Sequence, residues 1–194
     1  MKFPLCAWLA LGLAALSPDA ASQCGPELTI LASDGSNGDQ FGAAVDVLGQ
    51  DLFVGARSYD GSALNQGAVY LFERQAGVWN EVGKLLASDA SADADFGFDV
   101  AVDGDVLVVG ARRDGASAYR AGAVYVFERG VGGWSEVAKL TAPVPVAEQE
   151  FGVSVDVSGS TIAVGAWGDT LGGPLEGAVY TYEKVGPAWN LSQT

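Results

Sequence analysis

Three loops of this chain combine an aromatic side chain with a carboxylate, a combination that suits the binding of a sugar or a peptide. In chain order the residues are Tyr59 with Asp60, Asp114 with Tyr119, and Trp167 with Asp169. Aspartate also stabilises turns, and aromatic rings also pack between structural elements, so a purely structural role is the plainer alternative. The positions of the side chains in the fold separate the two interpretations.

Carboxylates also cluster in the segments that precede each Phe-Gly dipeptide, where their oxygens could bind calcium. The candidates are Asp34, Asp39, Asp89, Asp93 and Asp95, followed in the last third of the chain by Glu148 and Glu150. The alternative is a solvated acidic rim that keeps the protein soluble. The third segment contains Pro143-Val144-Pro145, which breaks a shared ligand spacing and favours the rim. We expect no cofactor, and calcium stays the alternative.

The composition excludes the commonest catalytic groups. The chain has no histidine and two cysteines, Cys6 and Cys24. Serine triads and histidine-containing zinc sites therefore cannot be assembled. A pair of carboxylates could still hydrolyse a glycosidic bond, but so acidic a chain places many carboxylates near one another by chance. The sequence predicts a binding protein rather than an enzyme, with a carbohydrate-binding or carbohydrate-active accessory domain as the alternative.

The net charge and the N-terminal segment restrict the partners and the location. The formal charge is −14, which disfavours nucleic acid and anionic membranes as partners. Lys2, the apolar run from Leu5 to Leu16 and the small residues before position 23 are typical of a signal peptide, predicted at 1–22 and followed by a lead-in at 23–28. As a helix the apolar run would span about 18 Å, short of a bilayer core of about 30 Å. We expect a secreted or cell-surface protein without a transmembrane helix in the mature chain.

These residues are embedded in a sequence that repeats with a period of 55 residues. Phe-Gly begins at 41, 96 and 151, Val-Gly-Ala at 54, 109 and 164, and Gly-Ala-Val-Tyr at 67, 122 and 177. A tryptophan follows each set, at 79, 134 and 189. A constant period of this kind indicates a repeat architecture, with repeats at 29–83, 84–138 and 139–193.

Each repeat contains four segments with the pattern of short strands. In the first repeat, Val45 and Val47 alternate with other residues, Gly49 marks a turn, and Leu52 and Val54 alternate again. The third segment, 67–74, is apolar on both sides, so we expect both of its faces to be covered. The pattern predicts an all-β fold of the β-propeller type with three four-stranded antiparallel blades.

Alternating strand directions place the ten-residue loop 57–66 and the inter-blade loops at one end of each blade, and the tight turns at the other. Long loops on a rigid scaffold are the usual place for function. The repeated tryptophans and the charged pairs that begin at Glu73, Glu128 and Glu183 are expected to be structural, the tryptophans packing within each blade and the charges fixing the next turn.

The repeated motifs resemble those of FG-GAP repeat proteins, among them the N-terminal propeller of integrin α subunits, and are most similar to the bacterial form of the repeat. The resemblance covers residues 27–194 and implies a β-propeller that acts in extracellular adhesion or ligand binding. Two features depart from the family pattern. Arg57, Arg112 and Trp167 replace the proline of the motif, and tight turns replace the calcium loop.

Three blades are fewer than the four to eight of typical propellers. The C-terminal segment from Trp189 and the N-terminal segment 28–32 would continue the repeat if they were joined. This relationship supports two hypotheses, a head-to-tail homo-oligomer or a fragment of a longer propeller protein without a function of its own.

Overall fold

Alternating apolar residues and tight turns give this chain antiparallel strands, and the computed structural model describes residues 29–170, 173 and 176–193. Within them the first sheet contains β1 (Phe41–Leu48), β2 (Asp51–Ala56), β3 (Ala68–Gln75) and β4 (Val78–Leu85). The second contains β5 (Phe96–Asp103), β6 (Val106–Ala111), β7 (Ala123–Gly130) and β8 (Gly133–Leu140). The third contains β9 (Phe151–Ser158), β10 (Thr161–Ala166), β11 (Ala178–Val185) and β12 (Ala188–Gln193).

The predicted all-β fold is confirmed. Each sheet is a meander of four antiparallel strands in chain order, and the described residues contain no helix. The three blades belong to one unit, residues 31–194, and they do not close into a ring. The predicted signal peptide and lead-in, at 1–22 and 23–28, lie outside the described residues.

Tight turns join the strands at one end of each blade. Leu48 pairs with Asp51 and Gln75 with Val78, so each of these hairpins has a two-residue turn. Gly49 and Gly77 have φ values of 63° and 85°, a left-handed conformation that glycine adopts without steric cost. The hairpins therefore follow directly from the glycine positions in the sequence.

The hydrophobic core lies between consecutive blades. Phe53 and Val69 of the first blade pack with Phe96, Leu107 and Tyr125 of the second. A second cluster joins the next pair of blades through residues that include Val108, Val124, Phe151, Ile162 and Tyr180. The blades are thus stacked through their sheet faces.

Glycine at two repeated positions permits the blades to approach closely. A Cβ atom on Gly55 would collide with the carbonyl oxygen of Gly97, and one on Gly110 with that of Gly152. Short parallel bridges link Gly67 to Phe96 and Gly122 to Phe151 beside these contacts. The Phe-Gly and Val-Gly-Ala motifs are therefore two halves of one inter-blade joint.

The two outer blades each leave one sheet face uncovered by the described residues. Val45 in β1 is 63% exposed, and Val179 in β11 is 61% exposed. The expectation that the third strand is covered on both faces holds for most of β3 and β7 but is wrong for β11. No blade packs against the outer face of β11 in the part of the chain that the structure describes, which explains the difference.

Some members of the repeated tryptophans and charged pairs contribute to contacts between blades. Trp134 packs edge-on against Phe53 of the preceding blade, with 5.4 Å between ring centroids. Arg129 forms an ion pair with Asp51 at 2.7 Å, and Lys184 one with Glu128 at 2.8 Å. The prediction of structural roles is confirmed for these residues. Arg129 also lies 4.9 Å from the ring centroid of Trp134 in its own blade, so the contacts between blades add to the expected role within a blade.

Candidate functional site

The long loops lie together at the blade ends opposite the tight turns. We call the surface formed by residues 31–40, 57–67, 86–95, 112–122, 141–150 and 167–170 the long-loop face. Backbone hydrogen bonds connect its loops, because Asp93 N donates to Leu64 O at 2.8 Å and Glu148 N donates to Tyr119 O at 2.8 Å. The loops are therefore held in place as one surface.

Below this face each blade contains a polar cluster around the tyrosine of its third strand. In the second blade, Tyr125 Oη shares its one hydrogen between Asp89 Oδ1 at 2.6 Å and Asp114 Oδ2 at 3.0 Å. Lys139 Nζ donates to the same two aspartates at 2.7 Å and 3.0 Å. Asp114 is buried and also accepts a hydrogen bond from Ala116 N. One ammonium group thus serves two carboxylates, and the Tyr125 hydroxyl and the Ala116 amide supply further hydrogen bonds to them.

The first blade has the same cluster with Tyr59 in place of the buried aspartate. Tyr70 Oη donates to Asp34 Oδ1 at 2.7 Å, and Lys84 Nζ donates to Asp34 Oδ2 at 2.6 Å. Lys84 Nζ also donates to Tyr59 Oη at 2.7 Å. Tyr59 and Asp114 occupy equivalent positions in their repeats. Both accept a hydrogen bond from the lysine of their own blade, so these two predicted loop residues have the same structural role.

The third blade carries a variant of the cluster. Tyr180 Oη donates to Asp169 Oδ2, and Gln149 Nε2 donates to the same oxygen. Asp169 and Gln149 are both buried. Position 144, equivalent to Asp34 and Asp89, is a valine, and position 194, equivalent to Lys84 and Lys139, is a threonine. The buried amide of Gln149 supplies the donor to the carboxylate that a lysine supplies in the other two blades.

The hydrogen bonds shift the pKa values within the clusters in opposite directions. The pKa of Asp34 is lowered, first by the hydrogen bond from Lys84 and then by that from Tyr70. Burial acts to raise the pKa of Asp89, but the hydrogen bonds from Lys139 and Tyr125 outweigh it, and the pKa is lowered. The pKa of Tyr125 is raised well above its ordinary value, by burial first and then by Asp89. The aspartates are therefore charged acceptors and the tyrosine is a neutral donor.

The remaining acidic candidates also have partners inside the loops. Asp39 accepts from Ser36 N at 2.7 Å, Asp60 from Asn65 N at 2.7 Å, and Asp93 from Asn65 Nδ2 at 2.8 Å. Asp95 forms an ion pair with Arg112 at 3.1 Å. Among the described residues no three acidic or sulfur- and nitrogen-ligating side chains gather as a group that could hold a metal ion.

The long-loop face leaves two of the predicted aromatic side chains exposed. Tyr119 is 62% exposed and Trp167 is 64% exposed. Both contact the segment 148–150, since Trp167 Nε1 donates to Glu150 Oε2 at 2.8 Å and Tyr119 O accepts from Glu148 N. The structure thus places these two aromatic residues along one segment of the long-loop face.

A cleft of about 430 Å³ opens beside Tyr119. Its lining includes Tyr119, Arg113 and Arg120, together with Asp89, Ser91 and Asp93. The Arg120 guanidinium lies 5.1 Å from the centroid of the Tyr119 ring. An aromatic ring, two guanidinium groups and two carboxylates in one open cleft can form stacking contacts and hydrogen bonds with a polar ligand.

The sequence matches the model of the FG-GAP repeat over residues 26–72, 79–127 and 134–182, which together make up well over half of the chain. The chain belongs to the FG-GAP repeat family. FG-GAP repeats are typical of extracellular or cell-surface proteins and generally mediate protein binding. No curated protein shows significant similarity to the chain.

Two arginines replace the proline of the FG-GAP motif at the long-loop face, and both contact a neighbouring blade. Arg112, at the proline position of the motif, bonds Asp95 and also Glu150 of the next blade at 3.2 Å, and it lies 4.0 Å from the centroid of Phe98. Arg57 donates to Gln40 at 2.7 Å and lies 5.2 Å from the same ring. In this FG-GAP chain the basic residues therefore bridge neighbouring blades.

The arginines of the cleft were not among the residues singled out by the sequence pattern. Arg113 and Arg120 correspond to Ser58 and Asn65 in the first FG-GAP repeat, so neither belongs to the repeated framework. The sequence does contain a signal for this cleft, which is the departure of this loop from the repeat. The chain has only ten basic residues, and three of them lie in the loop 112–121.

A second groove of about 450 Å³ lies nearer the tight turns, between the first two FG-GAP blades. Asp51, Phe53, Arg129 and Trp134 line it. These residues form the inter-blade ion pair and ring contact described above, so the groove is part of the blade joint.

The described residues contain no helix long and apolar enough to cross a membrane.

Proposed function

We propose that the chain is an exported, non-enzymatic interaction module that binds an extracellular protein or glycan through the long-loop face. The observation that carries the proposal is the cleft beside Tyr119, where an exposed ring lies among arginine and aspartate side chains. Exposed aromatic and arginine side chains on a rigid scaffold are enriched at sites that dominate binding energy. Adhesion at a cell surface is the biological role that fits this module.

The proposal assigns different roles to the predicted loop residues. Tyr119 and Trp167 form the binding surface, because their rings are exposed. Tyr59, Asp60, Asp114 and Asp169 support the loops from below through the hydrogen bonds of the polar clusters and of the first long loop. Calcium is not needed for this arrangement, since the candidate carboxylates are occupied by lysine, arginine, tyrosine and backbone donors.

The test is a binding screen of the protein on glycan and peptide arrays. A ligand that binds should lose affinity by tenfold or more on Tyr119→Ala, a loss of about 1.4 kcal/mol, and should lose affinity on Trp167→Ala. Val131→Ser is the matched control, because Val131 is exposed on the turn between β7 and β8 at the opposite end of the blade.

Three results would contradict the proposal. One is binding that both aromatic variants retain, and another is an equal loss on Val131→Ser. The third is turnover of a bound polysaccharide that one carboxylate substitution abolishes, which would assign the chain to the carbohydrate-active alternative.

A further inference from the structure

The two joints between blades repeat the same backbone contacts. Gly55 lies against Gly97, and one repeat later Gly110 lies against Gly152. The parallel bridges from Gly67 to Phe96 and from Gly122 to Phe151 are likewise one repeat apart. The joint therefore has a fixed pair of surfaces, one on the leading and one on the following blade.

Each of these surfaces is present once more in an uncovered form. Gly165 in the third blade is equivalent to Gly55 and Gly110, yet a Cβ atom there would meet Ser154 Cβ at 3.5 Å and no inter-blade carbonyl. Gly42 in the first blade is equivalent to Gly97 and Gly152, and a Cβ atom there would have no neighbour within 4 Å. The third blade thus keeps a leading surface, and the first blade keeps a following one.

Exposed apolar side chains surround the glycines on both uncovered surfaces. Val45 and Val47 are exposed on the first blade, at positions equivalent to Val155 and Val157 in the core of the second joint. Val179 is exposed on the third blade, at the position of the buried Val69 and Val124. Both uncovered surfaces therefore carry apolar residues that the internal joints bury.

The charges are complementary too. Lys184 of the third blade pairs with Glu128 of the second at 2.8 Å. The equivalent residues across the uncovered surfaces are Arg74 on the first blade and Glu183 on the third. In this chain Glu183 accepts a hydrogen bond from Thr161 Oγ1 and contacts no cation among the described residues, while Arg74 packs over Trp79 at 5.8 Å.

A hydrogen bond between an aspartate side chain and a backbone amide also links neighbouring blades, and its acceptor recurs on the uncovered surface of the third blade. Asp46 Oδ2 in β1 accepts a hydrogen bond from Val102 N in β5 at 2.8 Å. Asp156 in β9 is equivalent to Asp46 and accepts Val157 N with Oδ1, which leaves Oδ2 directed at no described donor. The matching amide on a following blade is that of Val47, which in the single chain donates to Asp46 Oδ1 at 2.8 Å and would have to share or exchange that bond on docking.

We propose that a second copy of this chain is the occupant of both surfaces, so that two chains associate head to tail into a six-bladed ring. The third blade of each copy docks on the first blade of the other and reproduces the internal joint, with Gly165 against Gly42 and Glu183 beside Arg74. Six blades lie within the range of about four to eight that closed propellers use. Both contacts are the same heterologous joint, which forms a ring with twofold symmetry when its rotation closes and an open filament when it does not. The proposal therefore requires six blade-to-blade steps to complete one full turn.

The first test is the molar mass of the protein in solution, measured by multi-angle light scattering on the full chain. The expected result is twice the chain mass, with 19.9 kDa as the mass of one chain. Gly165→Ala should convert the dimer to a monomer without loss of the β-sheet signal in circular dichroism. Gly132→Ala is the control, because a Cβ atom on Gly132 would have no neighbour within 4 Å and this glycine lies in the second blade, away from both uncovered surfaces.

A charge exchange keeps the test independent of that glycine. Arg74→Glu and Glu183→Arg should each weaken the dimer by about tenfold or more in dissociation constant, and the double variant should restore it. A wild-type monomer at concentrations up to about 1 mM would overturn the proposal. So would a dimer that Gly165→Ala and both charge variants leave intact, which would assign the contact to another surface.

Discussion

The Lys139 ammonium lies 3.0 Å from the carboxylate of Asp114, whose side chain is only 2% exposed. Without this lysine the buried carboxylate would keep only neutral donors, Tyr125 Oη and Ala116 N. An uncompensated buried charge is strongly destabilising, and the partial exposure of Lys139 moderates the cost. We expect Lys139→Met to lower the free energy of unfolding by about 2 kcal/mol, measured by urea denaturation.

The control for that measurement is Lys84→Met in the first blade. Lys84 pairs with Asp34, whose carboxylate is half exposed, and with the neutral hydroxyl of Tyr59. Water can solvate Asp34 once the lysine is gone, so the expected loss is below about 1 kcal/mol. Equal losses in the two variants would show that burial of Asp114 does not set the cost.

The inter-blade glycine Gly110 should not tolerate a methyl group. A Cβ atom at this position would collide with the backbone carbonyl of Gly152, and backbone in a packed joint cannot rotate away as a flexible side chain does. We expect Gly110→Ala to lower the free energy of unfolding by about 3 kcal/mol or to prevent folding.

Gly83→Ala is the matched control in a strand, because the nearest atom to its Cβ would be Leu71 Cδ1 at 3.7 Å. This variant should remain within about 1 kcal/mol of the wild-type protein. The comparison can be made by thermal denaturation of the two variants in parallel. A stable Gly110→Ala protein would contradict the close approach of the second and third blades.

Trp134 should contribute to the joint between the first and second blades more than to its own sheet. Its ring contacts Phe53 across the joint, and the ring is half-buried. Trp134→Ala should therefore cost about 2 kcal/mol, below the 3–5 kcal/mol typical of a fully buried ring, and Trp134→Phe should recover part of the loss.

A double-variant cycle with Phe53→Leu separates the two possible roles of the ring. Coupling of about 0.5 kcal/mol or more between the two positions is expected if the rings interact across the joint. Additive effects would place the contribution of Trp134 within its own blade.

The polar clusters predict loss of stability at both ends of the pH scale. The pKa values of Asp34 and Asp89 are lower in the folded protein, so their contribution is complete above the unfolded value of about 3.9 and is lost as the pH falls through the folded value. The pKa values of Tyr70 and Tyr125 are raised. Their contribution is complete below about pH 10 and is lost as the pH rises through the folded values.

Denaturation monitored by near-ultraviolet circular dichroism and by phenolate absorbance checks this prediction. In Asp89→Asn the acid branch should become shallower, since one titrating carboxylate is removed. Ionisation of the buried tyrosines before unfolding at high pH would contradict the proposed hydrogen bonds.

Removal of calcium should leave the stability of the protein unchanged. Asp34 and Asp89 are paired with Lys84 and Lys139, and Asp95 with Arg112. A calcium ion would have to displace these cations before it could collect six to eight oxygen ligands. The expected melting temperature is the same with chelator and with millimolar calcium, within the error of differential scanning calorimetry. A calcium-dependent rise would show that the acidic segments rearrange into a binding site.

Much of the fold could be predicted from the sequence because the repeat constrains it locally. Gly49 and Gly77 specify two-residue turns, and Val45, Val47 and Val54 alternate as strand residues do, so four strands per repeat follow from adjacent positions. The division into long loops and tight turns follows from strand direction alone. Three blades of the propeller type were therefore predictable, and the structure and the family match confirm them.

The candidate site was less predictable, because equivalent positions bear different residues. Tyr59 and Asp114 appeared in the same loop pattern as Tyr119, yet the first two belong to hydrogen-bonded clusters and only Tyr119 is exposed beside a cleft. The repeat register identified where side chains lie along a strand. It did not identify which of them form hydrogen bonds with a lysine or tyrosine from another part of the same blade.

What the sequence by itself determined is the local geometry of each blade, because turns, strand alternation and glycine positions act over a few residues. What only the tertiary structure decided is the pairing between distant segments. Arg129 meets Asp51 and Arg112 meets Glu150 only after the blades have stacked, and Gly165 is open only because no blade packs on it among the described residues. Contacts of this kind depend on the packing of whole sheets, which brings together residues that no short-range pattern relates.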